Sequence, residues 1–223
     1  MSDVIRVVLV DDQALIRIGL AMIVDAQDDM RVVGEAADGQ RALDLLATTG
    51  CDVVLMDVRM PRLDGVAATE RLLARGPQAP RVLVLTTFDL DEHAFAALRA
   101  GASGFLLKDA PAQEVLDAIR TVHAGDAVIA PSTTRRLLQH VAADLPTAAA
   151  DDALAVLTER ERAVMMEVAR GATNAEIAAH LHLAEPTVKT YVGRILTKLD
   201  LRDRVQIVIR AYETGLIRRG APS

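Results

Sequence analysis

Five side chains in this 223-residue sequence could do chemistry together: Asp11, Asp12, Asp57, Thr86 and Lys108. Each ends a short Val/Leu-rich run or follows it within two residues, the runs being RVVLV (6–10), DVVLM (52–56), RVLVL (81–85) and GFLLK (104–108). Parallel strands deliver the residues at their C-terminal ends to one crevice, so three carboxylates, a hydroxyl and an ammonium converge. Carboxylates crowded without a counter-ion repel one another, whereas a hard cation such as Mg2+ gathers them with oxygen ligands and water. In such a centre Asp57 is the natural nucleophile toward a phosphoryl donor. The metal and Lys108 would neutralise the equatorial oxygens, and Thr86 would donate a hydrogen bond to the acyl phosphate. Taken singly, aspartates after strands are also at home as helix caps or solvated loop residues.

The elements that must position these groups extend from Arg6 to about Gly125. A fifth apolar run, RVVGEA (31–36), completes a set whose near-continuous Val and Leu content suits strands covered on both faces. Amphipathic stretches between them predict helices at 13–25, 39–48, 64–74, 90–99 and 111–124, the last with Pro111 in its first turn. Residues 126–153, with Pro131, Pro146 and an Ala/Thr-rich run, read as a tether around a short helix at 132–143. From Thr158 onward only helical spacing survives. Thr158 with Glu161, and Thr173 with Glu176, match the reciprocal capping box, and Gly171 ends the first of four helices. The third starts near Pro186 and reaches about Leu199, and the fourth covers about 203–214.

Composition narrows the function classes. One cysteine, Cys51, excludes a disulfide framework and a cysteine zinc cluster and suits a reducing interior. No run approaches the roughly 18 apolar residues of a membrane span. The start, MSDVIRVVLVDD, lacks the basic region of a signal peptide. A soluble cytoplasmic chain without membrane contact is expected. The net charge of -6 argues against nucleic acid only as an average. Residues 1–130 hold twelve basic and twenty acidic side chains, whereas 186–223 hold eight basic and three acidic. A locally basic end can meet phosphate even on an acidic chain.

Four motifs make the first 125 residues resemble a response-regulator receiver domain. VDDQALIR carries Asp11 and Asp12, LMDVRMPRLDG carries Asp57 with Pro61 and Gly65, VLVLTTF carries Thr86, and GASGFLLKD carries Lys108. The resemblance implies a five-stranded, parallel, doubly wound, flavodoxin-like sheet, with Asp57 phosphorylated by a sensor histidine kinase. It also implies Mg2+ held by Asp11, Asp12 and Asp57. Phe105 falls at the aromatic switch position. Lacking a hydroxyl, it would couple to Thr86 through packing, or serve simply as a core residue. Phosphoryl acceptance and slow loss to water at Asp57 are self-directed, and no general base for an external substrate is visible, so an enzyme is not expected.

The segment TNAEIAAHLHLAEPTVKTYVGRILTKL reads as helix, short turn, helix. Ile177, Leu181 and Leu183, then Val188, Val192, Ile195 and Leu199, supply the apolar sides. The opposite face of the second helix carries Thr187, Lys189, Thr190, Arg194, Thr197 and Lys198, a polar, basic surface suited to a major groove. Small helical bundles use similar spacing. Leu157 to Leu216 resemble the LuxR-type output domain of the NarL/FixJ response regulators, through residues including Glu159, Glu161, Asn174, Val188, Lys189, Lys198 and Arg204.

That resemblance implies a second, all-α helix-turn-helix domain of four helices that binds double-stranded promoter DNA. Lys189, Thr190 and Gly193 would face the groove, with Thr187 and Lys198 as backbone contacts. Gly193 departs from the family, having no side chain to read a base, and shifts that work toward Arg194. Ala184 stands where a capping serine is usual, an omission worth about 1 kcal/mol. The fourth helix is expected to pair two active copies through Ile207, Val208 and Ala211. The implied organisation is a receiver at 1–125, a linker at 126–153 and a DNA-binding domain at 154–223. The competing reading is a signalling scaffold whose helical domain is an interaction module.

Overall fold

The computed structural model describes residues 4–76, 78–86, 92–124 and 154–217. The chain divides into two compact units, Met1–Val128 and Ile129–Ser223. The tether expected at 126–153 and its helix at 132–143 lie outside the described residues.

In the first unit β1 (Ile5–Val10), β2 (Met30–Ala36), β3 (Val53–Asp57), β4 (Arg81–Thr86) and β5 (Gly104–Leu107) alternate with α1 (Ala14–Asp25), α2 (Gly39–Leu45), α3 (Gly65–Leu73), α4 (Glu92–Arg99) and α5 (Ala112–His123). All pairings are parallel, and the strand order is β2-β1-β3-β4-β5. Val7, Leu9, Val53, Leu55, Leu83, Leu85 and Leu106 pack with α1 and α5 residues such as Val24, Val115 and Ile119. The alternate residues Val8, Val10, Val54, Met56, Val82, Val84 and Phe105 are buried too, because side chains along a strand alternate between faces and helices cover both. The order reverses at β1, which separates β2 from β3 and opens a crevice beyond their C-terminal ends.

Two expected boundaries move. Pro111 is the N-cap of α5, not a first-turn residue, because its ψ of 143° is still extended. Helix α2 stops at Leu45, three residues early, and the chain continues in turns such as Thr48 N donating to Leu45 O at 3.1 Å.

The second unit contains α6 (Glu159–Ala169), α7 (Asn174–Leu181), α8 (Glu185–Leu199) and α9 (Arg204–Glu213) among its described residues. Both capping boxes form: Thr158 and Thr173 accept from the backbone N–H of Glu161 and Glu176, whose carboxylates reach back. Gly171, at φ 86°, closes α6. Ala184 makes no side-chain cap to α8, and Pro186 sits within its first turn, where the missing N–H costs nothing. Leu157, Val164, Met165, Val168, Ile177, Val188 and Ile195 form the core with α9 residues. No helix among the described residues is long and apolar enough to cross a membrane.

Ile207, Val208 and Ala211 correct an expectation. They are 0%, 4% and 0% exposed and belong to this core, so they are not a surface for a second copy. Helix α9 packs against both α6 and α8, which cover its apolar surface within the unit.

Candidate functional site

The crevice at the reversal of the sheet gathers the acidic residues. Asp57 is the last residue of β3, Asp11 and Asp12 follow β1, Thr86 ends β4 and Lys108 follows β5. Ligand oxygens of Asp11, Asp12 and Asp57 all lie within 4.8 Å of one another. Asp11, Asp57 and Thr86 are buried, while Asp12 is exposed. Lys108 Nζ lies 2.6 Å from Asp11 Oδ2 and 2.8 Å from Asp57 Oδ2. Asp11 Oδ2 is buried, and among the described residues no hydrogen-bond donor other than the Lys108 ammonium reaches it, which leaves it lone pairs for a further cation.

Charge balance follows from this geometry. Burial raises the Asp57 pKa and the negative Asp11 adds to the effect, against the opposing pull of Lys108. Burial also works against the Lys108 cation, but its two carboxylate partners outweigh that and hold its pKa above the ordinary lysine value. Three carboxylates stand within reach of one another, and the Lys108 ammonium pairs with two of them. The surplus negative charge, the spare Asp11 oxygen and the all-oxygen donor set fit a hard divalent cation.

Two glycines keep the centre compact. A Cβ on Gly65 would lie 2.0 Å from the carbonyl oxygen of Asp57, and one on Gly39 would lie 2.6 Å from that of Leu63. The intervening loop is tied back by Gly39 N donating to Leu63 O at 3.0 Å and by an ion pair from Arg62 to the buried Asp38, the N-cap of α2. Arg62 itself has a left-handed φ of 68°. Phe105 is 5% exposed on β5, opposite Val84 in the strand register, and so sits in the packed sheet.

In the second unit the expected face of α8 is outward. Lys189, Thr190, Gly193, Arg194, Thr197 and Lys198 are exposed, Thr187 is partly so, and Val188 and Ile195 are buried. The Arg194 guanidinium lies 5.9 Å from the Tyr191 ring centroid, a cation–π distance. Thr190 and Thr197 hydroxyls donate back to Pro186 O and Gly193 O, each at 3.0 Å. A Cβ on Gly193 would meet nothing within 4 Å beyond its own chain neighbours and the backbone of its own helix. An open groove of about 640 Å³ runs between this face and the start of α6.

Lys198, expected as a contact to the DNA backbone, is engaged within the unit. Its Nζ donates to Glu161 Oε2 at 2.8 Å, the same oxygen that accepts from Thr158 N at 2.8 Å and Thr158 Oγ1 at 2.9 Å. Lys198 first, then the Thr158 donors, hold the Glu161 carboxyl below its usual pKa despite burial. His182 sits in the turn after α7 with φ 52°, and His180 pairs through Nδ1 with Glu167 at 2.9 Å.

Sequence reasoning missed Arg17. It is part of neither the apolar pattern of α1 nor the acidic motif, yet it donates to the Asp11 carbonyl at 2.7 Å and to Glu35 at 3.1 Å. The only hint was a cation one helical turn beyond an acidic pair.

A parallel sheet with buried aspartates at its switch point, followed by a helix-turn-helix unit, defines a receiver joined to a DNA-binding output domain. Residues 7–120 match the response regulator receiver domain, and residues 155–211 match the bacterial regulatory proteins of the luxR family. The chain is 40% identical over 216 residues to the uncharacterized transcriptional regulatory protein YxjL of Bacillus subtilis, covering 97% of this chain and 99% of that one. It is 36% identical over 213 residues to the response regulator VraR of Staphylococcus aureus, covering 96% and 99%. The crystal structure of ChrA, the response regulator of a heme-sensing two-component system, aligns with TM-score 0.54 and 37% identity over 97% of this chain and all of that one. The chain therefore belongs to the response regulators with a LuxR-type output domain: a DNA-binding transcriptional regulator of a two-component system, with a sensor kinase and DNA as the partners its domains imply.

Proposed function

We propose that Asp57 is the phospho-acceptor and that a sensor histidine kinase is its donor. The observation that carries this is the buried pair of Asp57 and Asp11 sharing Lys108 at the sheet's switch point. Mg2+, held by Asp11, Asp12 and Asp57, would supply positive charge to the oxygens of the transferring phosphoryl group. Lys108 neutralises a further oxygen, and Thr86 at the end of β4 donates to the acyl phosphate. Phe105 follows Thr86 by packing within the sheet. Phosphorylation biases an existing two-state arrangement of loops and helices rather than building a new fold. Loss of the phosphoryl group to water at Asp57 is slow and self-directed.

The output end reads DNA through α8. Lys189, Thr190 and Arg194 reach bases or phosphates, Thr187 adds a backbone contact, and Gly193 leaves room for close approach. Two copies acting on neighbouring half-sites gain avidity from a doubled contact set. The receiver occupies 1–125 and the DNA-binding domain 154–223, with a linker at 126–153, in a cytoplasmic protein.

Incubation with a small-molecule phosphodonor and Mg2+, followed by intact-mass measurement, tests the site. The parent chain gains one phosphoryl group and Asp57→Asn gains none. Equal labelling of both would move the acceptor elsewhere. Footprinting of bound genomic fragments with and without the donor tests the coupling, and identical protection in both states would refute it.

A further inference from the structure

We propose that Arg17 is a positioning residue for the acidic centre, setting the aim of Asp11 and Asp12 toward the cation; this deepens the proposed phosphorylation site and rests on that reading. The turn between β1 and α1 carries two of the three carboxylates and has few restraints of its own. Gln13, the N-cap of α1, gives no side-chain cap. Asp11 holds the turn from within, its Oδ1 accepting from Gln13 N at 2.8 Å, and its own N–H donates to Ala36 O at 3.1 Å.

Arg17 supplies a further restraint. Its Nη1 donates to the Asp11 carbonyl at 2.7 Å while Nε donates to Glu35 Oε2 at 3.1 Å, and its side chain is only 18% exposed. That carbonyl belongs to the planar peptide unit joining Asp11 to Asp12. Fixing its oxygen fixes the plane, and so restrains the ψ rotation of Asp11 and the φ rotation of Asp12 that aim the two side chains. Glu35 neighbours Ala36, so the end of β2 grips Asp11 from both sides, through the Ala36 carbonyl and through the guanidinium that Glu35 orients. A planar guanidinium with several donors can bridge a carbonyl and a carboxylate in one fixed geometry, whereas a lysine ammonium is a single flexible point.

The sign of the effect separates positioning from plain electrostatics. Arg17 is a cation beside a cation site, so if it acted by charge alone its removal would tighten Mg2+ binding. As a positioning residue its removal weakens it. Outer-shell partners of metal ligands typically contribute about 10–100-fold in affinity.

The test is calorimetric titration of Mg2+ into the full chain, with thermal midpoints in chelator measured alongside. Arg17→Ala is expected to weaken Mg2+ binding at least about tenfold. Arg17→Lys keeps the charge, loses the bridge and is expected to weaken it as well, and it stands in should the alanine variant fail to fold. A lowered midpoint in chelator with Mg2+ affinity within about twofold of the parent would mark a merely structural role and overturn the proposal. Tighter binding by Arg17→Ala, or full parental affinity in Arg17→Lys, would overturn it too. A parent chain that takes up no Mg2+ would remove the underlying reading along with this one, whereas a parent that binds with unaffected variants removes this one alone.

Discussion

Replacing Lys198 by methionine separates two roles that an exposed basic residue on α8 can have. Its Nζ shares Glu161 Oε2 with two Thr158 donors, and Glu161 is 2% exposed. Methionine keeps most of the aliphatic stem and removes the charge. A hydrogen bond to a charged group contributes about 1.5–3 kcal/mol. The full cost of stranding a buried ion, about 3–5 kcal/mol, is not reached because the Thr158 donors remain on the carboxylate. A loss of about 2 kcal/mol is therefore expected. In a domain of this size each kcal/mol moves the thermal midpoint by about 4–8 °C, so the output-unit transition should fall by about 8–16 °C in calorimetry of the full chain. Lys189→Ala, exposed on the same helix, should leave that midpoint within about 2 °C and lower the slope of log binding constant against log salt by about 0.9. If Lys198→Met instead keeps the parental midpoint and flattens the salt slope as Lys189→Ala does, the pairing with Glu161 is incidental and the reasoning is wrong.

Three further outcomes follow from packing and charge. Gly65→Ala places a Cβ against the Asp57 backbone, where no flexible side chain can give way, and should cost at least about 1–3 kcal/mol and impair labelling by a phosphodonor; thermal melts and intact mass report both. Gly193→Ala meets open space in a helix interior and should stabilise the output unit by about 0.5–1 kcal/mol, measured by denaturant titration. Asp38, Asp52 and Glu161 have pKa values lowered chiefly by hydrogen bonds from Arg62, Arg6 and Lys198 respectively, so their contribution is complete above the unfolded values of 3.8 and 4.5 and is lost as pH falls through the lower folded values. Melts between about pH 7 and pH 3 should show midpoints falling at the acid end, with a weaker fall for the output unit in Lys198→Met.

Much of the fold was legible because local chemistry and burial agree. The Val/Leu runs placed every strand to within a residue or two, and Thr158 with Glu161 and Thr173 with Glu176 marked two helix starts through side chains whose only local use is capping. The acidic centre was legible because strand ends converge whatever the loops do. What escaped depends on geometry that no residue type announces. Arg17 bonds a main-chain carbonyl, which any sequence would offer. Lys198 finds a carboxylate 37 residues earlier in the chain, and a helical wheel reports exposure without saying which acid lies within reach. For Ile207, Val208 and Ala211 the sequence revealed how much apolar surface α9 has, but not that α6 and α8 cover it from two sides.

The burial of those three residues bears on how two output units can recognise each other. The less buried positions of α9 are Arg204, Gln206, Arg210, Tyr212 and Glu213, largely polar and charged. Contact between copies through this helix would remove little apolar surface from water and so carry only a small heat-capacity change. An association of that kind would be weak in free solution and would be strengthened by a DNA template holding both copies, so that the spacing of the binding sites would decide which copies meet.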